Sequence, residues 1–133
     1  MSILSAIPTL AFVIAVYLLM GLLDRLSVES DAFIWELPST AVFALRAGDL
    51  FTLAGLIALF FEMLKAARSS ASAVLDHILS TLTFIGALVA FLLVDYAGTG
   101  TFFLLTTMTL IDVIAGFSVS IFTARRDLNM SSG

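Results

Sequence analysis

Four long runs of apolar residues alternate with short polar segments along this chain. The first, Ile3 to Leu23, contains no charged residue. As a helix rising about 1.5 Å per residue it would extend about 30 Å, the thickness of the hydrocarbon core of a bilayer. Pro8 lies in its early turns and predicts a mild kink or a later true start, because a residue without an amide hydrogen is best tolerated where no helical acceptor awaits it. The second run, Ala41 to Ala66, carries Arg46, Asp49 and Glu62. The third, Ala73 to Val94, has Asp76 and His77 near its start, and the fourth, Thr101 to Phe122, has Asp112 near its middle. The pattern predicts an all-α integral membrane fold, a four-transmembrane-helix bundle formed by residues 1–133 as one domain, with spans at about 3–23, 41–66, 73–94 and 101–122.

The connections carry the turn signals. Leu26 to Thr40 is the longest polar stretch and holds Glu29, Asp31 and Glu36 around the apolar run Ala32 to Trp35. A lone Trp beside an acid suits the headgroup zone, so a short interfacial turn or helix is expected in this first extracytoplasmic loop. Pro38, Ser39 and Thr40 read as a stop followed by N-caps for the second span. Ala67 to Ser72 predicts a tight turn, and Asp95 to Gly100 a glycine-rich one. Residues 131–133 read as a cloning scar. With short connections after the first loop, consecutive helices are expected to pack as antiparallel neighbours. Small residues four apart recur, as at Ala54 and Ala58, Gly86 and Ala90, and Gly116 and Ser120, a spacing that permits close helix contact within or between subunits.

Composition strengthens the membrane reading. The chain is 61% hydrophobic and 12% charged, where a soluble domain is about 45–50% apolar and about 25% charged. A water-soluble fold of this length has no interior large enough for that surface. The net charge of −4 argues against nucleic acid as a partner and leaves the lipid bilayer, other membrane proteins or further copies of the chain. Lys65, Arg68, Arg125 and Arg126 flank the second loop and the tail, whereas the first loop is acidic. By the positive-inside rule both termini face the cytoplasm, as in a protein of a bacterial inner membrane.

Ionisable side chains inside a span are costly, about 2.5–3.5 kcal/mol on insertion scales, so each requires a partner or a purpose. Asp112 is the sharpest case. It sits eleven residues from Thr101, about 16 Å deep at helical rise, too far for so short a side chain to reach water. Thr109, Gly116 and Ser120 share its face, which is expected to point into the bundle. With consecutive helices adjacent, Arg46 is its expected partner and Asp49 shares the network. Two readings follow: a carboxylate that loads and releases a proton or cation, or an ion pair that fixes helix register.

A second cluster, Glu62, Lys65, Asp76 and His77, is expected across the turn between the second and third spans. Asp76 continues into Ser80, Thr83 and Ala87, a polar stripe along the third helix. Adjacent Asp76 and His77 diverge by about 100° on a helix, so salt bridging is expected there rather than a metal site, with Glu62 pairing to Lys65.

No cofactor is implied. The chain has no Cys and a single His, which excludes thiolate sites and paired-His haem ligation, and no Gly-x-Ser-x-Gly or phosphate-binding glycine loop occurs. The first span lacks the carboxylate that small multidrug exporters carry there, and the last lacks the arginine ladder of a voltage sensor. The expectation is an accessory or interaction subunit of a membrane assembly rather than an enzyme. Its alternative is a proton- or cation-handling transporter or channel, acting as an oligomer, that uses the intramembrane carboxylates.

Overall fold

A computed structural model describes residues 6–68 and 73–132. In chain order the elements are α1 (Thr9–Leu22), β1 (Asp31–Glu36), β2 (Val42–Arg46), α2 (Ala47–Arg68), α3 (Ala73–Leu93), a 3-10 turn at Asp95–Ala97, and α4 (Gly100–Ser132). Among the described residues three helices, α2, α3 and α4, are long and apolar enough to cross a membrane, and α1 is a shorter apolar helix of 14 residues. The chain is that of a membrane protein, mostly helical, with a two-stranded hairpin set into it.

Pro8 explains the length of α1. It occupies the N-cap position in an extended conformation, where its missing amide hydrogen costs nothing, so α1 starts at Thr9, and residues 3–5 of the expected span lie outside the described residues. The second span also starts later than the pattern predicts. Residues 42–46 form β2, paired antiparallel to β1 with Trp35 opposite Phe43 and Glu36 opposite Val42. The expected interfacial turn or helix around Ala32–Trp35 is therefore a strand. Pro38, Ser39 and Thr40 form the hairpin turn and not a helix cap: Thr40 donates its backbone N–H to Leu37 O (2.8 Å), Leu37 donates to Ala41 O (2.9 Å), and Thr40 adopts φ 67°. Pro38 supplies the fixed φ of the turn, and Thr40 takes the left-handed position that ends a short hairpin loop.

α4 runs past the expected end at Phe122 and continues to Ser132. From Phe117 onward no Gly or Pro interrupts it, and Ala124, Arg125, Arg126 and Leu128 are good helix formers. Residues 131 and 132 extend this helix, whereas Gly133 and residues 69–72, where a tight turn is expected, lie outside the described residues.

The packing order also departs from the expected one. α4 packs against both α2 and α3, while α1 packs mainly on α2. Its central place shows in burial: 39% of its apolar stretch is inside the chain, against 11% for α3. The core consists of Leu10, Ile14 and Tyr17 of α1, Ala58 and Leu59 of α2, Ala87 and Ala90 of α3, and Phe102, Leu105 and Met108 of α4. Gly55 brings α2 and α4 together, because a Cβ there would lie 2.6 Å from Leu105 Cδ2 and 2.7 Å from Met108 Sδ. At the hairpin end Tyr17 fastens α1 to the turn after α3. Its hydroxyl donates to Tyr96 O (3.0 Å) and lies 2.6 Å from Thr99 Oγ1, while Tyr96 donates to Leu18 O (2.9 Å).

Candidate functional site

Helical rise alone puts several polar residues at one level. Counted from the hairpin end of each helix, Thr9 is thirteen residues from Leu22, Glu62 fifteen from Ala47, Ser80 thirteen from Leu93 and Asp112 twelve from Gly100, which places all four about 18–23 Å along. The fold then turns them inward. Glu62 is 5% exposed, Asp112 7% and Ser80 8%, and together they form a polar node to which every helix contributes.

Glu62 is the most heavily partnered member. Its Oε1 accepts the backbone N–H of Thr9 (2.8 Å) and lies 2.9 Å from Thr9 Oγ1, and Lys65 Nζ stands 3.6 Å from Oε2. Thr9 N–H is one of the amides that α1 itself cannot satisfy, and a carboxylate at a helix N-terminus also meets the positive end of its dipole. Glu62 therefore caps α1 from across the bundle. The Thr9 hydroxyl additionally lies 3.0 Å from Ala58 O, so its one hydrogen faces two acceptors.

Asp112 accepts a hydrogen bond from Ser80 and is within electrostatic reach of Glu62, Lys65 and Asp76. Asp76 Oδ1 is shut off from solvent and has no hydrogen-bond partner among the described residues. Thr109 is buried on the face of Asp112 but donates to Thr106 O of its own helix (2.6 Å). His77 turns away from this group as the helical spacing requires: its ring stacks on Phe117 with centroids 4.8 Å apart, and it lies over Gly116, where a Cβ would come 2.8 Å from Cε1. Among the described residues no three His, Asp or Glu side chains form a group that could hold a metal ion.

Arg46 and Asp49 stand elsewhere. Arg46 ends β2 and pairs with Asp31, its cross-strand neighbour, at 3.7 Å with both side chains about half exposed. Asp49 opens α2 and accepts the backbone N–H of Arg46 (2.9 Å). Both line a polar hollow of about 370 Å³ at the hairpin end, with Glu29, Thr99 and Thr101. The expected pairing of Arg46 with Asp112 is thus corrected, because residues 42–46 are strand and lift Arg46 out of the bundle. The partners that reach Asp112 come instead from the Glu62–Lys65–Asp76 cluster, so two groups that the sequence separates are one.

The structure adds a feature that the sequence reading missed. Phe33, Trp35 and Phe43 stack along one face of the hairpin, Phe33 on Trp35 at 5.4 Å and Trp35 on Phe43 at 6.2 Å, with interplanar angles of 3° and 9°. All of β1 is exposed, and so are Val42 and Phe43. The signal lay in two runs rich in Phe, Ile, Trp and Val separated by a proline-led spacer.

Comparison of the chain with protein-family models, with curated proteins and with solved structures returned no match.

Proposed function

We propose that this protein is a four-helix bundle of a bacterial inner membrane, both termini cytoplasmic, and that it serves as an accessory or interaction subunit that docks a partner membrane protein through its hairpin. The aromatic ladder Phe33–Trp35–Phe43 carries this reading. An isolated two-stranded hairpin is marginally stable in water, and a contiguous exposed apolar patch on such an element marks a surface for contact. Orientation rests on charge: four of the six basic residues, Lys65, Arg68, Arg125 and Arg126, lie toward one end against Arg25 and Arg46 at the hairpin end, which the positive-inside rule assigns to the outside.

The test is a photo-crosslinking amino acid placed at Trp35, and separately at Phe12 on the exposed face of α1, in cells making the full chain. Docking expects a discrete protein adduct from position 35 that is absent from position 12 and is lost when Phe33 and Phe43 are changed to Ala. Adducts with lipid alone at both positions would overturn it.

A second reading, proton or cation handling by the intramembrane carboxylates, is favoured by the node of Glu62, Asp76 and Asp112. Ion flux under an imposed gradient in proteoliposomes, compared between wild type and Asp112→Asn, tests it. Flux lost in a folded variant supports it, and absence of flux in folded wild type under proton and cation gradients ends it.

A further inference from the structure

The node has more acceptors than hydrogens. Around it stand three carboxylates, Glu62, Asp76 and Asp112, and one ammonium, Lys65. α1 adds only the Thr9 amide and hydroxyl, α3 adds the Ser80 hydroxyl, and His77, the remaining titratable group on α3, lies over Phe117 and Gly116. The Thr9 hydroxyl has one hydrogen for two acceptors, Glu62 Oε1 and Ala58 O, and among the described residues no donor reaches the enclosed Asp76 Oδ1.

Glu62 and Asp112 are buried and Asp76 is half-buried in the first turn of α3, and three negative charges against one positive are costly there, since a buried charge requires a counter-charge or neutralisation. Lys65 sits nearest Glu62 and offsets one carboxylate. That leaves Asp76 and Asp112 without a cation of their own among the described side chains. A metal ion does not fit, because among the described residues no three His, Asp or Glu side chains form a metal-holding group. A proton does: bound to one carboxylate, it converts an acceptor into a donor and removes one excess negative charge in the same step.

We propose that the Glu62–Asp76–Asp112 node is a proton-binding site that holds one dissociable proton. Binding turns one COO⁻ into COOH, the proton coming from water and returning to it. This deepens the proton-handling reading in naming the bound species, yet it is independent of transport: a node that binds a proton without moving it satisfies the proposal and fails the flux test.

Infrared spectroscopy of the full chain in neutral-lipid nanodiscs reads the bound proton directly, through the carbonyl stretch of a protonated carboxyl group that shifts in D₂O. Wild type is expected to show such a band and to lose it as pH rises. The band should persist in Asp49→Asn, outside the node. Asp112→Asn should move its midpoint to lower pH, and Asp76→Asn combined with Asp112→Asn should abolish it. Lys65→Met, which removes the one cation and keeps the carboxylates, should shift the midpoint the opposite way, to higher pH. That variant keeps the proposal testable if the double replacement does not fold. A folded wild type with no such band, a band unmoved by both Asp112→Asn and Lys65→Met, or stabilisation by sodium in place of a protonated carboxyl would overturn the proposal.

Discussion

Thr9 and Glu62, 53 residues apart, meet twice at one atom: the backbone N–H of Thr9 lies 2.8 Å and its hydroxyl 2.9 Å from Glu62 Oε1. A helix that begins immediately after a proline has its first amides unsatisfied by its own turns, and in α1 a carboxylate from α2 takes that place. The contact joins the shortest helix to the bundle at the level where Asp112 and Ser80 also meet.

Glu62→Ala should therefore release the start of α1. It removes the acceptor of the part-buried Thr9 amide and leaves Lys65 without its nearest carboxylate, a loss of about 2 kcal/mol by the usual worth of a hydrogen bond to a charged group. Glu62→Gln, which keeps an oxygen for Thr9 N–H, should cost less. Thermal unfolding in detergent measures the order. Equal midpoints for wild type and Glu62→Ala would show that the cap contributes nothing to stability.

Two glycines should respond with opposite sign. At Gly55 a Cβ meets Leu105 and Met108 within 2.7 Å, whereas at Gly86 nothing lies within 4 Å. Gly55→Val places a branched side chain between α2 and α4 and should destabilise by about 1–3 kcal/mol, the range for overpacking a filled interface. Gly86→Ala meets open space and should be neutral or stabilising by up to about 1 kcal/mol through helix propensity. The pair also discriminates between uses of the chain's small residues. If Gly86 forms a contact with a partner or a second copy, Gly86→Ala will leave the monomer's unfolding unchanged but weaken the assembly.

The sequence made the helices legible because long, predominantly apolar runs admit few other readings, and it made the inward face of α4 legible because Thr109, Asp112 and Gly116 repeat at helical spacing. Arg46 was misleading. Its distance from the end of an apolar run suggested a depth in the membrane, but the run includes a strand, and depth counted along strand and helix together has no meaning. The hairpin was hidden for the same reason: Val42, Phe43 and Leu45 are as apolar as a helix face, and only their enrichment in β-formers near Pro38 distinguished them. The merging of Asp112 with the Glu62 cluster depended on α4 packing against both α2 and α3, with Gly55 admitting Leu105 and Met108 at the α2–α4 contact, which the order of elements along the chain does not reveal. Tyr17 and Tyr96 gave no periodic signal, since each acts through one hydroxyl and a distant carbonyl.

Trp35 is the chain's single Trp and reports on the hairpin without labelling. Its strand partner Phe43 precedes Arg46 by three residues, so Trp35 stands about 10 Å beyond the start of α2 at strand rise. The apolar stretch Ala47–Ala67, 21 residues, already covers about 30 Å, enough for the hydrocarbon core. With α2 spanning the bilayer, the hairpin would begin where the acyl region ends. In vesicles whose lipids carry bromine near the middle of the acyl chain, Trp35 fluorescence should be as bright as in unbrominated vesicles, and an aqueous quencher should reduce it. Loss of aqueous quenching on adding a partner, reversed by Phe33→Ala with Phe43→Ala, would place the aromatic ladder in the contact. Strong quenching by acyl bromine would instead fold the hairpin down onto the membrane, making Phe33, Trp35 and Phe43 a lipid anchor and removing the basis for docking.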